Sequence, residues 1–196
     1  MPCTFIRLAG CPLRCLYCDT TQAIPTDSGS WMHIDQVIDD VQQRGRPLVL
    51  VTGGEPLAQR NCIELLKRLL GLGVEVQLET SGAYSVAGVP DGVRRIVDIK
   101  TPGSGEVERN QLDNLKLLRA GDEIKFVICS RSDYEWSRDF IRSHKLGGDD
   151  VPPLLSTAWG EVSASDLCAW ILEDHLPARM QLQLHKVIWG AEASGV

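Results

Sequence analysis

Cys11, Cys15 and Cys18 stand in the string CPLRCLYCDT with spacing C-x3-C-x2-C, and TGGEP follows at Thr52 to Pro56. Three thiolates on one short loop can hold three irons of a four-iron, four-sulfur cluster. The missing fourth thiolate leaves one iron open to a small molecule, which makes it a place for reaction. A structural zinc site would want four closed ligands, with Cys3 the first candidate for the fourth and His33 the second. A disulfide framework fits poorly, because the chain is long, its cysteine count of seven is odd, and no secretory pattern stands before them.

The elements that must position this loop are legible as apolar runs of strand length alternating with segments of helical period, the pattern of a mainly parallel sheet with crossover helices. TFIRLAG, Thr4 to Gly10, reads as a first strand that delivers the chain into the cysteine loop. Trp31 to Arg44 reads as a helix, with Ile34, Val37, Ile38 and Val41 on one stripe. Leu48 to Thr52 is a strand with GGEP as the turn at its carboxyl end, and Cys62 to Leu70 a helix. Val74 to Thr80 alternates as a third strand, and Arg94 to Lys100 makes a fourth ending at Thr101-Pro102-Gly103-Ser104-Gly105. Beyond it the expectation is a helix at Gln111 to Leu118, a strand at Glu123 to Cys129 and a helix at Tyr134 to His144. A sixth strand is expected within Val151 to Thr157 after its prolines, then a helix at Ser163 to His175 capped by Ser163 or Ser165. Gln181 to His185 is a candidate final strand.

The unusual strings GC before Cys11, TGGEP, ETSG, DIKTPG and LHK all fall at predicted carboxyl strand ends, where parallel α/β sheets gather their binding sites. With about six mainly parallel strands, the chain is short for an eight-unit barrel, so the fold class expected is an open, partial α/β barrel. No repeat, low-complexity tract or linker interrupts it, and residues 1–196 are read as one domain. Gly53 and Gly54 admit backbone conformations and close ligand approach that a side chain would obstruct, and Glu55 supplies a carboxylate beside them. Alone, a GG pair after a strand is only a tight turn; its coupling to the cysteine triplet gives it meaning.

The bulk numbers narrow the classes further. A chain of 196 residues with 43% hydrophobic residues can furnish one substantial core. Its 20 basic against 26 acidic residues, net −6, give no basic footprint for direct nucleic-acid binding. No apolar run is long enough to span a membrane, and the expectation is a cytoplasmic protein whose thiols are free for metal. Cys62, Cys129 and Cys168 are expected as buried, inert thiols, and the five dispersed tryptophans as packing residues.

The combination C-x3-C-x2-C with GGEP resembles the radical S-adenosylmethionine superfamily. The resemblance implies that Cys11, Cys15 and Cys18 bind a 4Fe-4S cluster whose open iron is chelated by the amino and carboxylate groups of S-adenosylmethionine, with Gly53, Gly54 and Glu55 facing the methionine. An electron from the cluster would then release a 5′-deoxyadenosyl radical that takes hydrogen from a substrate. The strings FIRLAGCPLRCLYCDT, VTGGEP, LETSG, VDIKTPGSGE, EIKFVI and LHKVIWG span nearly the whole chain, and are similar to the 7-carboxy-7-deazaguanine synthase family. That family contracts the ring of 6-carboxy-5,6,7,8-tetrahydropterin with loss of ammonia and regenerates the cofactor, on the path to queuosine and related deazapurines.

From the same resemblance, Thr20 matches a magnesium ligand, hard oxygen donors being what that ion takes. Arg7 and Thr52 match substrate-binding positions, as do His185 and Lys186. Tyr17, Asp19, Glu79, Ser81, Lys100 and Thr101 match adenosyl-side positions, with Asp98 open to a structural role as partner of Lys100. A homodimer and a flavodoxin or ferredoxin electron donor are also implied. Some relatives place their terminal carboxylate in the substrate site, which leaves the role of Val196 open. Family members usually carry an amino-terminal segment ending in a Gln-Gly-Glu-Gly-like string, whereas this chain begins almost at the strand before the loop; a missing segment is the expectation. Two other classes stay open: an activating protein that places a glycyl radical on a polypeptide, and a non-catalytic protein with a closed metal site.

Overall fold

The computed structural model describes residues 1–147, 151–191 and 193. Seven parallel strands form one sheet whose spatial order is the order of the sequence: β1 (Cys3–Leu8), β2 (Leu48–Gly53), β3 (Glu75–Thr80), β4 (Val93–Asp98), β5 (Glu123–Ile128), β6 (Pro153–Thr157) and β7 (Arg179–Gln181). β1 and β7 are the edges of the sheet and do not pair with each other, so the barrel is open, with the candidate final strand present as a seventh. Helices α1 (Ile34–Arg44), α2 (Cys62–Leu70), α3 (Arg131–Ser143), α4 (Ala164–Glu173) and α5 (Leu184–Trp189) follow β1, β2, β5, β6 and β7.

Side chains alternate across a strand, so each strand offers one set to each face of the sheet. One set is apolar: Val49, Val51, Val76, Leu78, Val97, Ile124, Phe126, Ile128 and Leu155 pack with Ile38 and Val41 of α1, Leu65, Leu66 and Leu69 of α2, Ile141 of α3 and Leu167 of α4. The intervening set carries Arg7, Glu79, Asp98 and Lys125, beside apolar Leu50, Ile96, Val127 and Leu154. Arg7 stands opposite Thr52, and Asp98 opposite Lys125, on the face the helices leave uncovered. A sheet with one face given to a core and the other to charges is what a site-bearing half-barrel requires.

Five expectations need correction. Gln111 to Leu118 is not an α-helix but 3₁₀ turns over Leu112–Leu117, because long-range bonds claim its polar groups. The Asn114 side chain accepts from Val86 N at 3.0 Å and donates to Tyr84 O at 2.8 Å, while Arg95 Nη2 donates to Leu117 O at 2.6 Å. The last strand is Arg179–Gln181 rather than Gln181 to His185, and the LHKVIW run is helical. α1 begins at Ile34, where His33 and Gln36 form a capping box, so Trp31 lies outside it and is fully exposed. Trp159 and Trp189 are also exposed, leaving Trp136 and Trp170 as the packing tryptophans; Cys62 is buried, Cys129 half-buried and Cys168 exposed.

Candidate active site

β1 ends at Leu8 and passes directly into the cysteine loop, which is held at the carboxyl edge of the sheet by two sets of hydrogen bonds and an apolar anchor. Gly10 N donates to Ala23 O at 2.8 Å and Cys11 N to Ile24 O at 3.0 Å, which close the loop on itself. Leu16 N donates to Ser104 O at 3.0 Å and Arg14 N to Glu106 Oε1 at 2.5 Å, which fasten it to the turn after β4. Leu13 is buried beneath it as its apolar anchor. The three thiols are half-buried, and burial pushes those of Cys11 and Cys15 above the ordinary thiol range.

The donor set fits a cluster: three half-buried thiols on one loop are the number and chemistry of ligand that a multi-iron cluster takes, one per iron. Cys3 opens β1 at the end remote from the loop, a separation of about 16 Å at the rise of a strand, and cannot close a zinc site with the other three.

GGEP is placed beside the loop, and its glycines have a specific cause. A Cβ on Gly53, whose φ is +151°, would stand 2.1 Å from Leu8 O, and one on Gly54 would stand 2.4 Å from Gly10 O. The close approach observed here is thus by the chain's own backbone: Gly54 N donates to Leu8 O at 2.8 Å and Glu55 N to Gly10 O at 2.9 Å. Glu55 is completely buried rather than displayed. Its carboxylate accepts from Leu57 N at 2.9 Å, Thr80 Oγ1 at 2.8 Å, Ser81 N at 2.7 Å and Ser81 Oγ at 2.5 Å, and so ties the ends of β2 and β3 together.

Charges on the uncovered face are paired in sequence along it. Glu79 accepts from Lys125 at 2.5 Å; burial pushes its carboxyl up, but Lys125 outweighs that and holds it below the usual carboxylate range. Lys100 Nζ lies 2.6 Å from Asp98 Oδ2, the pairing expected of a structural Asp98. Burial would lower that ammonium's pKa, but Asp98 raises it further. Lys100 also sits 6.0 Å over the ring of Tyr17, and Thr101 Oγ1 donates to Val127 O at 3.1 Å. Arg7 is exposed and has no ion-pair partner among the described residues. It shares its register with half-buried Thr52.

Asp19 gathers several expected site residues into one group. Its carboxylate accepts from Thr20 Oγ1 at 3.0 Å, Lys186 Nζ at 2.9 Å and Gln183 Nε2 at 2.5 Å, which brings α5 down onto the cysteine loop. Burial would raise its pKa; these partners, Lys186 foremost, lower it instead. Lys186 is itself buried and lies 5.7 Å from the ring centre of Trp159, whereas His185 is half-buried with no polar partner among the described residues. Val196 lies outside the described residues. A groove of about 390 Å³ beside β1 and α1, lined by Phe5, Arg7, Trp31 and Met32, includes none of the cluster-loop cysteines, and Arg7 is the expected site residue that borders it.

The sequence reading passed over Lys125, Gln183, Asn110 and Asp133. Asn110 makes paired bonds with the backbone of Lys100, each 2.8 Å, and Asp133 accepts from Gly103 N at 2.8 Å and from Cys129 N at 3.2 Å. Lys125 had a signal, since the alternation in EIKFVI puts it on the face opposite Phe126. The other three are loop or helix residues whose partners, Lys100 for Asn110, Gly103 for Asp133 and Asp19 for Gln183, no local periodicity announces.

The Radical SAM superfamily profile matches residues 5–100. A 7-carboxy-7-deazaguanine synthase of Koribacter versatilis is 40% identical over 210 residues, covering 100% of this chain and 92% of that one. One of Chlorobaculum tepidum is 41% identical over 198 residues, covering 100% and 89%. Among solved structures, Streptococcus suis SuiB bound to precursor peptide SuiA superposes with a TM-score of 0.69 at 12% identity, over 94% of this chain and 50% of SuiB. The chain thus spans half of SuiB's length, and that likeness concerns the fold alone. With whole-length relatives at this identity and a three-cysteine loop seated against GGEP at the edge of an open parallel sheet, the chain belongs to the 7-carboxy-7-deazaguanine synthase family of radical SAM proteins.

Proposed function

We propose that this protein converts 6-carboxy-5,6,7,8-tetrahydropterin into 7-carboxy-7-deazaguanine with release of ammonia, a step towards queuosine and related deazapurines. The observation that carries the reading is the whole-length similarity to 7-carboxy-7-deazaguanine synthases. The same relatives disfavour an activating protein for a glycyl radical and a non-catalytic metal protein.

When bound, the 4Fe-4S cluster and S-adenosylmethionine supply a radical able to take hydrogen from the substrate. The chain's own residues hold and orient. Cys11, Cys15 and Cys18 are the cluster ligands, and the backbone of Gly53 and Gly54 borders the methionine end. Glu55 acts by fixing Ser81 and the end of β3. Tyr17, Asp19, Glu79, Ser81, Lys100 and Thr101 surround the adenosyl side. Arg7, which has no ion-pair partner among the described residues, grips the substrate carboxylate with its planar fork, beside Thr52. His185 and Lys186 close the substrate side from α5. Thr20 donates its hydroxyl hydrogen to Asp19, and its oxygen would hold magnesium, which would supply positive charge for the substrate carboxylate.

A cytoplasmic homodimer reduced by a flavodoxin or ferredoxin completes the proposal; among the described residues no helix is long and apolar enough to cross a membrane. The test is anaerobic turnover of reconstituted, reduced protein with S-adenosylmethionine, magnesium and the tetrahydropterin acid, with products identified by mass spectrometry. The carboxydeazaguanine is expected. Cleaved cofactor with untouched pterin would overturn the substrate assignment. Replacing any of the three cluster cysteines by alanine is expected to abolish cofactor cleavage, and full cleavage by such a variant would remove that cysteine from the cluster.

A further inference from the structure

Gln183 carries an enclosed oxygen that no donor among the described residues meets. The residue follows β7 as the N-cap of α5, where its backbone carbonyl accepts from Lys186 N at 3.0 Å. Its side chain is held at the far end, the amide Nε2 donating to Asp19 Oδ2 at 2.5 Å. The amide Oε1 is shut away from solvent and accepts no hydrogen bond among the described residues. Buried polar atoms in folded proteins are nearly always paired, and an orphaned acceptor carries the full cost of its desolvation.

The amide cannot relieve this by turning over. An ionised carboxylate only accepts, and the same Asp19 oxygen also takes Lys186 Nζ at 2.9 Å, so the amide nitrogen must face Asp19 and the amide oxygen must face away. The surroundings say which molecule brings the donor. Gln183 shares Asp19 with Lys186 and with Thr20, whose hydroxyl donates to the other carboxylate oxygen at 3.0 Å. Both are residues proposed above for the substrate side, Thr20 for the end that bears the substrate carboxylate. The N–H of a reduced pterin acid closest to its carboxylate is N5–H, on the ring nitrogen bonded to the carboxylate-bearing carbon.

We infer that Gln183 binds the substrate, its Oε1 accepting from N5–H of the tetrahydropterin ring, and that this bond selects the reduced acid over its oxidised forms. The assignment rests on the substrate proposed above. In the 7,8-dihydro acid, N5 is doubly bonded to the carboxylate-bearing carbon and has no hydrogen, so it meets Oε1 acceptor to acceptor. The carboxylate, N8–H and the pyrimidine ring are the same in both acids. A site built to hydrogen-bond an N–H rejects the analogue that lacks it, because the buried acceptor is then left unpaired.

The test is anaerobic equilibrium dialysis of 6-carboxy-5,6,7,8-tetrahydropterin and of 6-carboxy-7,8-dihydropterin against reconstituted protein with S-adenosylmethionine and magnesium. The cluster is left oxidised, so that binding is read without turnover. Wild-type protein is expected to bind the tetrahydro acid about tenfold more tightly than the dihydro acid, the scale of one hydrogen bond. Gln183→Met keeps the length of the side chain and removes the amide. It is expected to lose about tenfold for the tetrahydro acid and to bind the two acids alike. Gln183→Ala carries the same comparison should Gln183→Met fail to fold. Equal wild-type affinity for the two acids would overturn the assignment without any variant. An equal loss for both acids in the variants, with the preference kept, would overturn it too and leave Gln183 as a tether between α5 and Asp19. Wild-type protein that holds its cluster and S-adenosylmethionine but binds neither acid would overturn the substrate reading itself, and this assignment with it.

Discussion

Glu55 illustrates how a motif can be visible while its work is not. The string GGEP is evident in the sequence, but the four donors that meet the Glu55 carboxylate come from Leu57, Thr80 and Ser81, and the last two lie 25 and 26 positions away. Nothing local marks Thr80 and Ser81 as its partners; the register of β2 on β3 does. Because all four partners donate, an amide in place of the carboxylate would set an N–H against another N–H. Glu55→Gln is therefore expected to cost about 2–3 kcal/mol of stability, measured by chemical denaturation. Unchanged stability would show that the carboxylate is not the tie between β2 and β3. Arg7 presents the opposite case, a cation left over when its neighbours on the uncovered face are paired. Arg7→Ala is expected to raise KM for the pterin acid at least tenfold with little change in stability, the split expected of a group that binds substrate from an exposed strand position.

At the scale of elements, the strands β1 to β6 and the helices α2 and α4 were legible because apolar periodicity and capping residues decide them locally. Ser163 accepts from Asp166 N as an N-cap, a bond that the sequence announces. The 3₁₀ segment Leu112–Leu117 and α5 were not legible, since each is shaped by bonds to remote residues: Asn114 to Val86 and Tyr84, Leu117 to Arg95, Lys186 to Asp19. The first of these depends on a buried pair behind it. Arg95 donates to Asp122 from its backbone at 2.9 Å and from its guanidinium, and both side chains are almost wholly buried. Asp122→Ala would strand the guanidinium, with an expected loss of about 3–5 kcal/mol by denaturant unfolding. A smaller loss would mean that the segment before β5 is held by its other bonds. The seat of the cysteine loop is an equally strict element. Gly54→Ala places a methyl carbon 2.4 Å from Gly10 O, and no rotamer relieves a clash at Cβ. Its expected result is a folded sheet with depleted iron after reconstitution, read by iron analysis beside circular dichroism.

For the whole molecule, the division of the sheet into an apolar and a charged face separates what makes the protein stable from what makes it act. The core of Val49, Leu66, Leu78, Phe126, Ile141 and Leu155 lies wholly on the helix side. The cysteine loop, the turn after β4 and α5 are joined to one another mainly by polar contacts: Leu16 to Ser104, Arg14 to Glu106, Lys186 and Gln183 to Asp19. Regions held by polar contacts at a sheet edge open at lower free energy than a packed core. Cluster-free protein is therefore expected to exchange backbone hydrogens quickly over residues 10–24, 101–110 and 183–189 while β2 to β5 stay protected. Ligands that bind only the folded state stabilise it, so cluster assembly on Cys11, Cys15 and Cys18 is expected to slow exchange in all three segments together. Anaerobic hydrogen–deuterium exchange by mass spectrometry, before and after reconstitution, reads this directly. Protection confined to the cysteine loop would show that Asp19 does not couple α5 to the cluster, and that the substrate side closes independently of the cofactor side.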